Sequence, residues 1–241
     1  MLNKVPAQSV SLRTSAGDVP HAVPLVLAVD TTHEFGSLAL ARGGETIEEI
    51  LLHAPTGFGN LLYGHLRQLL ARNGVKPGEI DCFAAASGPG SFTGVRIGLA
   101  CVKGLAEALG KTAVGVSTLE AIAAFGTAEL RAVVIDARRG EVYGAVYDAG
   151  GRLVQAEVVT KFPVWLAGLP AEVEFVSTDF TPFQAGLAGT RFEKARVATA
   201  PRALAAAIAR VAGGRWQRGE AEDPAALDAN YIRRSDAELL F

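Results

Sequence analysis

The feature that most constrains the fold of this chain is an internal repeat. Residues 24–54 and residues 131–161 each begin with an apolar segment that ends in an aspartate, Asp30 or Asp136. A short polar turn, a second apolar segment, a glycine pair and a third segment follow in the same order in both copies. Short apolar segments bounded by such turns predict β-strands. The shared order therefore predicts a duplicated unit that opens with three antiparallel strands.

Helices and further strands are predicted after each three-strand unit. Residues 60–74, 92–110 and 201–214 carry apolar side chains at helical spacing, and residues 81–87 read as a buried strand. This pattern predicts an α/β fold with two mixed sheets. We expect a first lobe at residues 24–120 and a second lobe at residues 121–241. A return of the final segment to the first lobe is left open.

Composition narrows the class of protein. The chain has 23 basic and 25 acidic residues, which argues against a surface built to bind duplex nucleic acid. Its two cysteines, Cys82 and Cys101, form neither a disulfide framework nor a C-x-x-C pair, and we expect a reducing cytoplasm. No apolar stretch is long enough to span a bilayer, and residues 1–23 are expected to be a flexible leader.

The glycine-rich stretch SGPGSFTGVRIG, residues 87–98, fails the spacing tests for known chemical loops. It lacks the lysine of a phosphate-binding P-loop, and its glycines are one residue too far apart for a dinucleotide fingerprint. Ser91 also lacks the flanking glycines of a nucleophile elbow. A structural role remains, in which Ser91 or Thr93 caps a helix and Gly88 and Gly90 adopt positive φ angles.

The histidines do not predict a metal site. A histidine pair four residues apart on a helix would share one face and could hold a metal ion. None of the four histidines has a partner at that spacing, and the helix at residues 60–74 carries only His65.

Small residues on the two long helices of the first lobe predict a protein interface. Gly94 and Gly98 are four residues apart, although glycine inside a helix costs about 1 kcal/mol relative to alanine. Ala100, Gly104 and Ala108 repeat this spacing. The cost favours a close approach of another backbone, and we expect one of the two small faces to pack on the chain's own sheet and the other to meet a partner. We predict a partner interface formed by Gly94, Arg96, Gly98, Cys101, Leu105, Leu62, His65 and Leu66.

Several segments resemble one known family. LAVDTT (27–32), GPGSFTGVRIG (88–98), GVSTLEAIA (115–123), IDARRGEVYGAVY (135–147) and YIRRSDAE (231–238) are similar to the TsaB (YeaZ) family of tRNA threonylcarbamoyladenosine biosynthesis. The order of elements resembles the actin, sugar-kinase and Hsp70 superfamily (ASKHA, ribonuclease H-like), which implies a two-lobed fold.

The resemblance implies a non-catalytic accessory subunit with no cofactor of its own. Such a subunit dimerises with a catalytic TsaD-like paralogue and works with a TsaE-like ATPase, so that a partner binds the ATP and tRNA is contacted indirectly. No catalytic residue is predicted, and a homodimer stays possible.

The superfamily resemblance nevertheless makes four residues candidates for a nucleotide cleft: Asp30, Thr31, Thr32 and Asp136. Against ATP, a pairing of Asp136 with Arg138 would fill that cleft. The alternatives are a stand-alone ATP-dependent enzyme, a glycoprotease-type metallopeptidase and a homodimeric scaffold without a tRNA role.

Overall fold

Two five-stranded mixed sheets form the frame of the computed structural model, which describes residues 23–232. The predicted leader therefore lies outside the described residues, apart from Val23. In the first sheet the order is β3-β2-β1-β4-β5, with β1 antiparallel to β2 and parallel to β4. Its strands are β1 Leu25–Asp30, β2 Phe35–Arg42, β3 Glu45–His53, β4 Cys82–Gly88 and β5 Thr112–Ser117.

The second sheet repeats this topology in the order β8-β7-β6-β9-β10. Its strands are β6 Leu130–Arg138, β7 Glu141–Asp148, β8 Leu153–Lys161, β9 Glu174–Ser177 and β10 Val197–Thr199. In both sheets the first strand of the unit lies in the middle, between an antiparallel and a parallel neighbour. The predicted duplication and the two-lobed actin/Hsp70-like fold are therefore confirmed.

Helices cover the sheets in three layers. The helices are α1 Leu62–Arg72, α2 Phe92–Leu109, α3 Thr118–Ala123, α4 Phe162–Ala167, α5 Thr181–Gln184 and α6 Ala205–Gln217. Side chains of α1 and α2 bury one face of the first sheet, and those of α4 and α5 bury the outer face of the second. The third core lies between the sheets and is filled by α3 and α6.

Helix α6 follows the second sheet in the chain but packs on β1, β2 and β4 of the first. The C-terminal segment, residues 218–232, continues along the same lobe. There Glu222 and Ala113 exchange two backbone hydrogen bonds of 2.9 and 3.0 Å. The return of the final segment to the first lobe, which the sequence left open, therefore takes place from α6 onward.

None of the helices in residues 23–232 combines the length and apolar character that crossing a membrane requires.

Candidate functional site

The glycine-rich loop joins β4 to α2 and is held by the turn that follows β1. Ser91 is the N-cap of α2, and its Oγ accepts a hydrogen bond from the Gly94 amide at 3.2 Å. The Ser91 amide donates to the Thr32 carbonyl at 2.7 Å. Gly88 has φ +100°, whereas Gly90 has no positive φ and is small because a Cβ would lie 2.7 Å from the Thr32 carbonyl oxygen. Of the two predicted glycine conformations, that of Gly88 is confirmed and that of Gly90 is wrong.

Gly94 and Gly98 face the chain's own β1 turn rather than a partner. A Cβ on Gly94 would lie 2.0 Å from the Thr31 carbonyl oxygen, and one on Gly98 would lie 2.6 Å from Thr31 Oγ1. The Thr31 hydroxyl donates to the Gly94 carbonyl at 2.7 Å. The prediction that these two glycines contact a partner is therefore wrong, since the close approach they permit is intramolecular.

The other predicted interface residues differ in how far they are buried. Leu62, Leu66 and Cys101 lie in the core between α1, α2 and the first sheet, so the prediction that they contact a partner is wrong. Burial raises the pKa of the Cys101 thiol to about 11, which keeps it protonated at neutral pH. His65 and Leu105 are half-buried.

A different set of small residues on the same helices does face solvent. Ala100 and Gly104 are exposed on α2, and a Cβ on Gly104 would meet no atom within 4 Å. On α1, Gly64 is equally open, and Tyr63 is 59% exposed while its hydroxyl hydrogen-bonds with Cys101 of α2. We call this surface, formed by Tyr63, Gly64, Arg67, Ala100 and Gly104, the outer helical face.

Arg96 lies at the exposed first turn of α2 between two aromatic rings. Its guanidinium carbon is 3.7 Å from the centre of the Phe92 ring and 5.7 Å from that of Tyr231. Its Nε donates to the Tyr231 hydroxyl at 2.8 Å. Arg96 therefore ties the C-terminal segment to α2, a contact that the sequence gave no signal for because the residues lie 135 positions apart.

The first aspartate turn satisfies most of its own polar groups. Asp30 is 1% exposed, and its Oδ1 accepts hydrogen bonds from the Thr32 amide at 2.9 Å and the Thr32 hydroxyl at 2.7 Å. Burial raises the pKa of Asp30, and the hydrogen bonds from Thr32 oppose that rise. Thr31 points to α2 instead, so of these three nucleotide-cleft candidates only Asp30 and Thr32 line the cleft.

The second aspartate turn is open to solvent. The side chain of Asp136 is 43% exposed; its Oδ1 accepts from the Arg138 amide at 2.8 Å, and its Oδ2 is 3.9 Å from Arg138 Nη1. Arg138 itself is 86% exposed, so the predicted pair forms without filling the cleft. Arg138 and Arg139 have φ +66° and +57°, a left-handed conformation that costs roughly 1–2 kcal/mol for a residue other than glycine.

A cleft of about 1140 Å³ separates the two aspartate turns. Its lining combines apolar side chains such as Ile122, Ile135 and Leu204 with several charged ones. Within residues 23–232, no three histidine, cysteine, aspartate or glutamate side chains come together as a set able to hold a metal ion.

Glu157 on β8 joins both lobes and the C-terminal segment. Its carboxylate accepts hydrogen bonds from Ser117 Oγ at the end of β5, from the Tyr147 hydroxyl at 2.5 Å and from Asn230 Nδ2 at 2.5 Å. Ser117 also caps α3, because its Oγ accepts a hydrogen bond from the Leu119 amide. No sequence pattern singled out Glu157, because its partners lie 10, 40 and 73 residues away.

Comparison with known proteins agrees with this architecture. Residues 57–213 match the family model described as "TsaD: tRNA N6-adenosine threonylcarbamoyltransferase". The solved structure titled "YeaZ from Pseudomonas aeruginosa" superposes with a TM-score of 0.70 at 30% identity, covering 86% of this chain and 99% of that one. The chain belongs to the TsaD/TsaB (YeaZ) family.

Two TsaB relatives extend the assignment. The "tRNA threonylcarbamoyladenosine biosynthesis protein TsaB" of Bacillus subtilis is 34% identical over 59% of this chain and 62% of its own length. The protein of the same name in Escherichia coli is 36% identical over 51% of this chain and 54% of its own. The chain thus spans little more than half the length of the curated TsaB relatives it matches.

Proposed function

We propose that this chain is a non-catalytic, activating subunit of the machinery that makes threonylcarbamoyladenosine in tRNA. In this role it binds a TsaD-like catalytic paralogue in the cytoplasm, acts together with a TsaE-like ATPase, and meets tRNA only through these partners. The proposal rests first on the TsaB relatives, which are named as biosynthesis proteins of this modified nucleoside.

The proposal that the chain is non-catalytic is supported by the glycine-rich loop, in which the backbone amides of Ser91 and Gly94 already have hydrogen-bond partners within the chain. A phosphate-binding loop directs several backbone amides at a ligand. Here the Ser91 amide donates to Thr32, the Gly94 amide donates to Ser91, and Gly90 packs on the Thr32 carbonyl. This loop therefore supports a role in positioning α2, which favours a scaffold over a phosphate-transferring enzyme.

The outer helical face is the surface that we assign to the paralogue. The open glycines Gly64 and Gly104 let a partner helix approach closely, and Tyr63 and Arg67 are of residue types enriched at interfaces. A homodimer through the same face would compete with the paralogue. Arg96 lies outside this face, since its guanidinium packs on Phe92 and Tyr231 and the residue lines the cleft; its contact with a partner stays a separate prediction.

Co-purification with the paralogue tests the proposal. Replacing Gly104 with glutamate places a charged side chain in the contact without touching any atom of this chain within 4 Å, so we expect binding to fall at least about tenfold while the fold is kept. The matched control is Val164→Glu on α4, 63% exposed and on the other lobe, which should bind like wild type. Equal binding by all three proteins would contradict the assigned surface.

A further inference from the structure

The C-terminal segment crosses the first lobe and reaches the cleft between the two aspartate turns. Its first part is firmly anchored, because Glu222 exchanges two backbone hydrogen bonds with Ala113 and the Leu227 side chain is buried. After this anchor the chain continues to the cleft, where residues 230–232 form part of the lining. We call residues 228–232 the strap.

The strap is held mainly by polar contacts. None of its five residues is fully buried. The Asn230 amide donates to the Ser87 carbonyl at 2.8 Å, and the Tyr231 hydroxyl accepts from Arg96 Nε at 2.8 Å. A segment with few buried apolar contacts opens locally at a lower free energy than the core around it. The strap can therefore leave the cleft while the anchored part of the C-terminal segment stays in place.

One carboxylate, that of Glu157 on β8, binds the strap to the second lobe. One of its oxygens accepts a hydrogen bond from Asn230 Nδ2 at 2.5 Å, and the other accepts from Ser117 Oγ and from the Tyr147 hydroxyl. These three donors belong to the strap, to the first sheet and to the second sheet. Hydrogen bonds to a charged acceptor are stronger than those between neutral groups. Glu157 thus joins the strap to both lobes at a single point.

We propose that Glu157 is a latch that holds the strap in place as one wall of the cleft. When the bond between Glu157 and Asn230 breaks, the strap moves away and the cleft opens on that side. Because the same carboxylate is bonded to Ser117 at the end of β5, a displacement of β8 from β5 disturbs the latch. Movement between the lobes and release of the strap are therefore linked. This device does not depend on whether the chain binds a paralogue.

Hydrogen exchange of single amides, followed by NMR on the full chain, tests the latch. Asn230→Asp places a second carboxylate against Glu157, and the two repel each other when both are ionised, at about pH 8. We expect the protection factor of the amide at position 230 to fall at least about tenfold. The Glu222 amide, which donates to the Ala113 carbonyl in the anchored part, should keep its protection.

A second substitution that reverses the polarity of the bond should restore the latch. In Glu157→Gln/Asn230→Asp the glutamine amide donates to the aspartate, while its oxygen still accepts from Ser117 and Tyr147. Protection should return to within about threefold of wild type. Glu157→Gln alone should keep the strap, since the Asn230 amide can turn its oxygen toward the glutamine. The matched control is Asp228→Asn, at an exposed strap position, which should exchange like wild type.

Asn230→Ala removes the donor without adding a charge, and its protection should also fall at least about fivefold. Equal protection at position 230 in wild type, Asn230→Asp and Asn230→Ala would overturn the latch. A double variant that stays as unprotected as Asn230→Asp would also overturn it, because Asn230 would then act through another partner. A loss of the same size at the Glu222 amide would show a general loss of stability instead of release of the strap.

Discussion

Two faces of α2 each carry a pair of small residues four positions apart, but only one of the two faces packs against the chain itself. On the inner face, Gly94 and Gly98 let the helix rest on the backbone and hydroxyl of Thr31. On the outer face, Ala100 is exposed, and a Cβ on Gly104 would meet no atom of the described residues within 4 Å. The inner glycines are therefore required for α2 to pack against the turn after β1. The small residues of the outer face are not required for packing within the described residues, and they leave room for a partner helix.

Introducing leucine on each face in turn should give the largest difference in stability between the two faces. Gly94→Leu forces a side chain into the Thr31 carbonyl, and we expect a loss of more than about 3 kcal/mol in the free energy of unfolding. Gly104→Leu should instead stabilise by about 0.5–1 kcal/mol, because leucine favours helix over glycine and meets no atom.

Urea denaturation of both variants measures the difference. If both variants lose a similar amount of unfolding free energy, the outer face is also packed. If both variants are stabilised, the contact between Gly94 and Thr31 does not form.

The next largest effect is expected from removing the N-cap of α2, the helix that carries both faces. Ser91→Ala leaves the Gly94 amide without the Ser91 hydroxyl, and we expect a loss of about 1 kcal/mol in the free energy of unfolding. Thermal unfolding should show a decrease of about 2–4 °C for a chain of this size. Unchanged stability would mean that Ser91 does not cap the helix. The control is Thr93→Ala, at an exposed position in the first turn, which should unfold like wild type.

The smallest expected effect concerns the turn that supports the inner face. Burial raises the pKa of Asp30 above its ordinary value of 3.8, so the folded state holds this proton more tightly than the unfolded state. The group therefore lowers stability progressively as the pH rises above that value. Asp30→Asn keeps an oxygen for the Thr32 donors and removes the charge.

The unfolding midpoint of Asp30→Asn should exceed that of wild type at about pH 7, and the excess should shrink toward about pH 4. An excess that grows on acidification would contradict the direction of the shift. Asp136→Asn, whose aspartate is 43% exposed, is the control and should follow wild type more closely.

Periodicity predicted the frame of the molecule well. Local patterns of apolar residues and turn residues predict strands β1 to β3 and β6 to β8, helices α1, α2 and α6, and the cap at Ser91. The resemblance in the segments around residues 88–98 then identified the family. These features depend on neighbours in the chain, which the sequence displays directly.

The site was harder to predict because it depends on contacts between distant residues. The spacing of Gly94 and Gly98 is that of any close-packed helix, and nothing local states that Thr31, 63 residues away, is the occupant. The hydrogen bonds of Glu157 and the stacking of Arg96 on Tyr231 likewise join residues far apart in sequence. The glycine spacing correctly predicted that a backbone approaches α2 closely, but it did not show whether that backbone belongs to this chain or to a partner.

Formation of threonylcarbamoyladenosine in tRNA by the reconstituted TsaD-like paralogue, TsaE-like ATPase and this chain tests the account most directly. Wild type and Val164→Glu should support the reaction, Gly104→Glu should lower its rate at least about tenfold, and this chain alone should give no product. Product formed by this chain without the paralogue, or full activity of Gly104→Glu, would contradict a non-catalytic subunit that docks through its outer helical face.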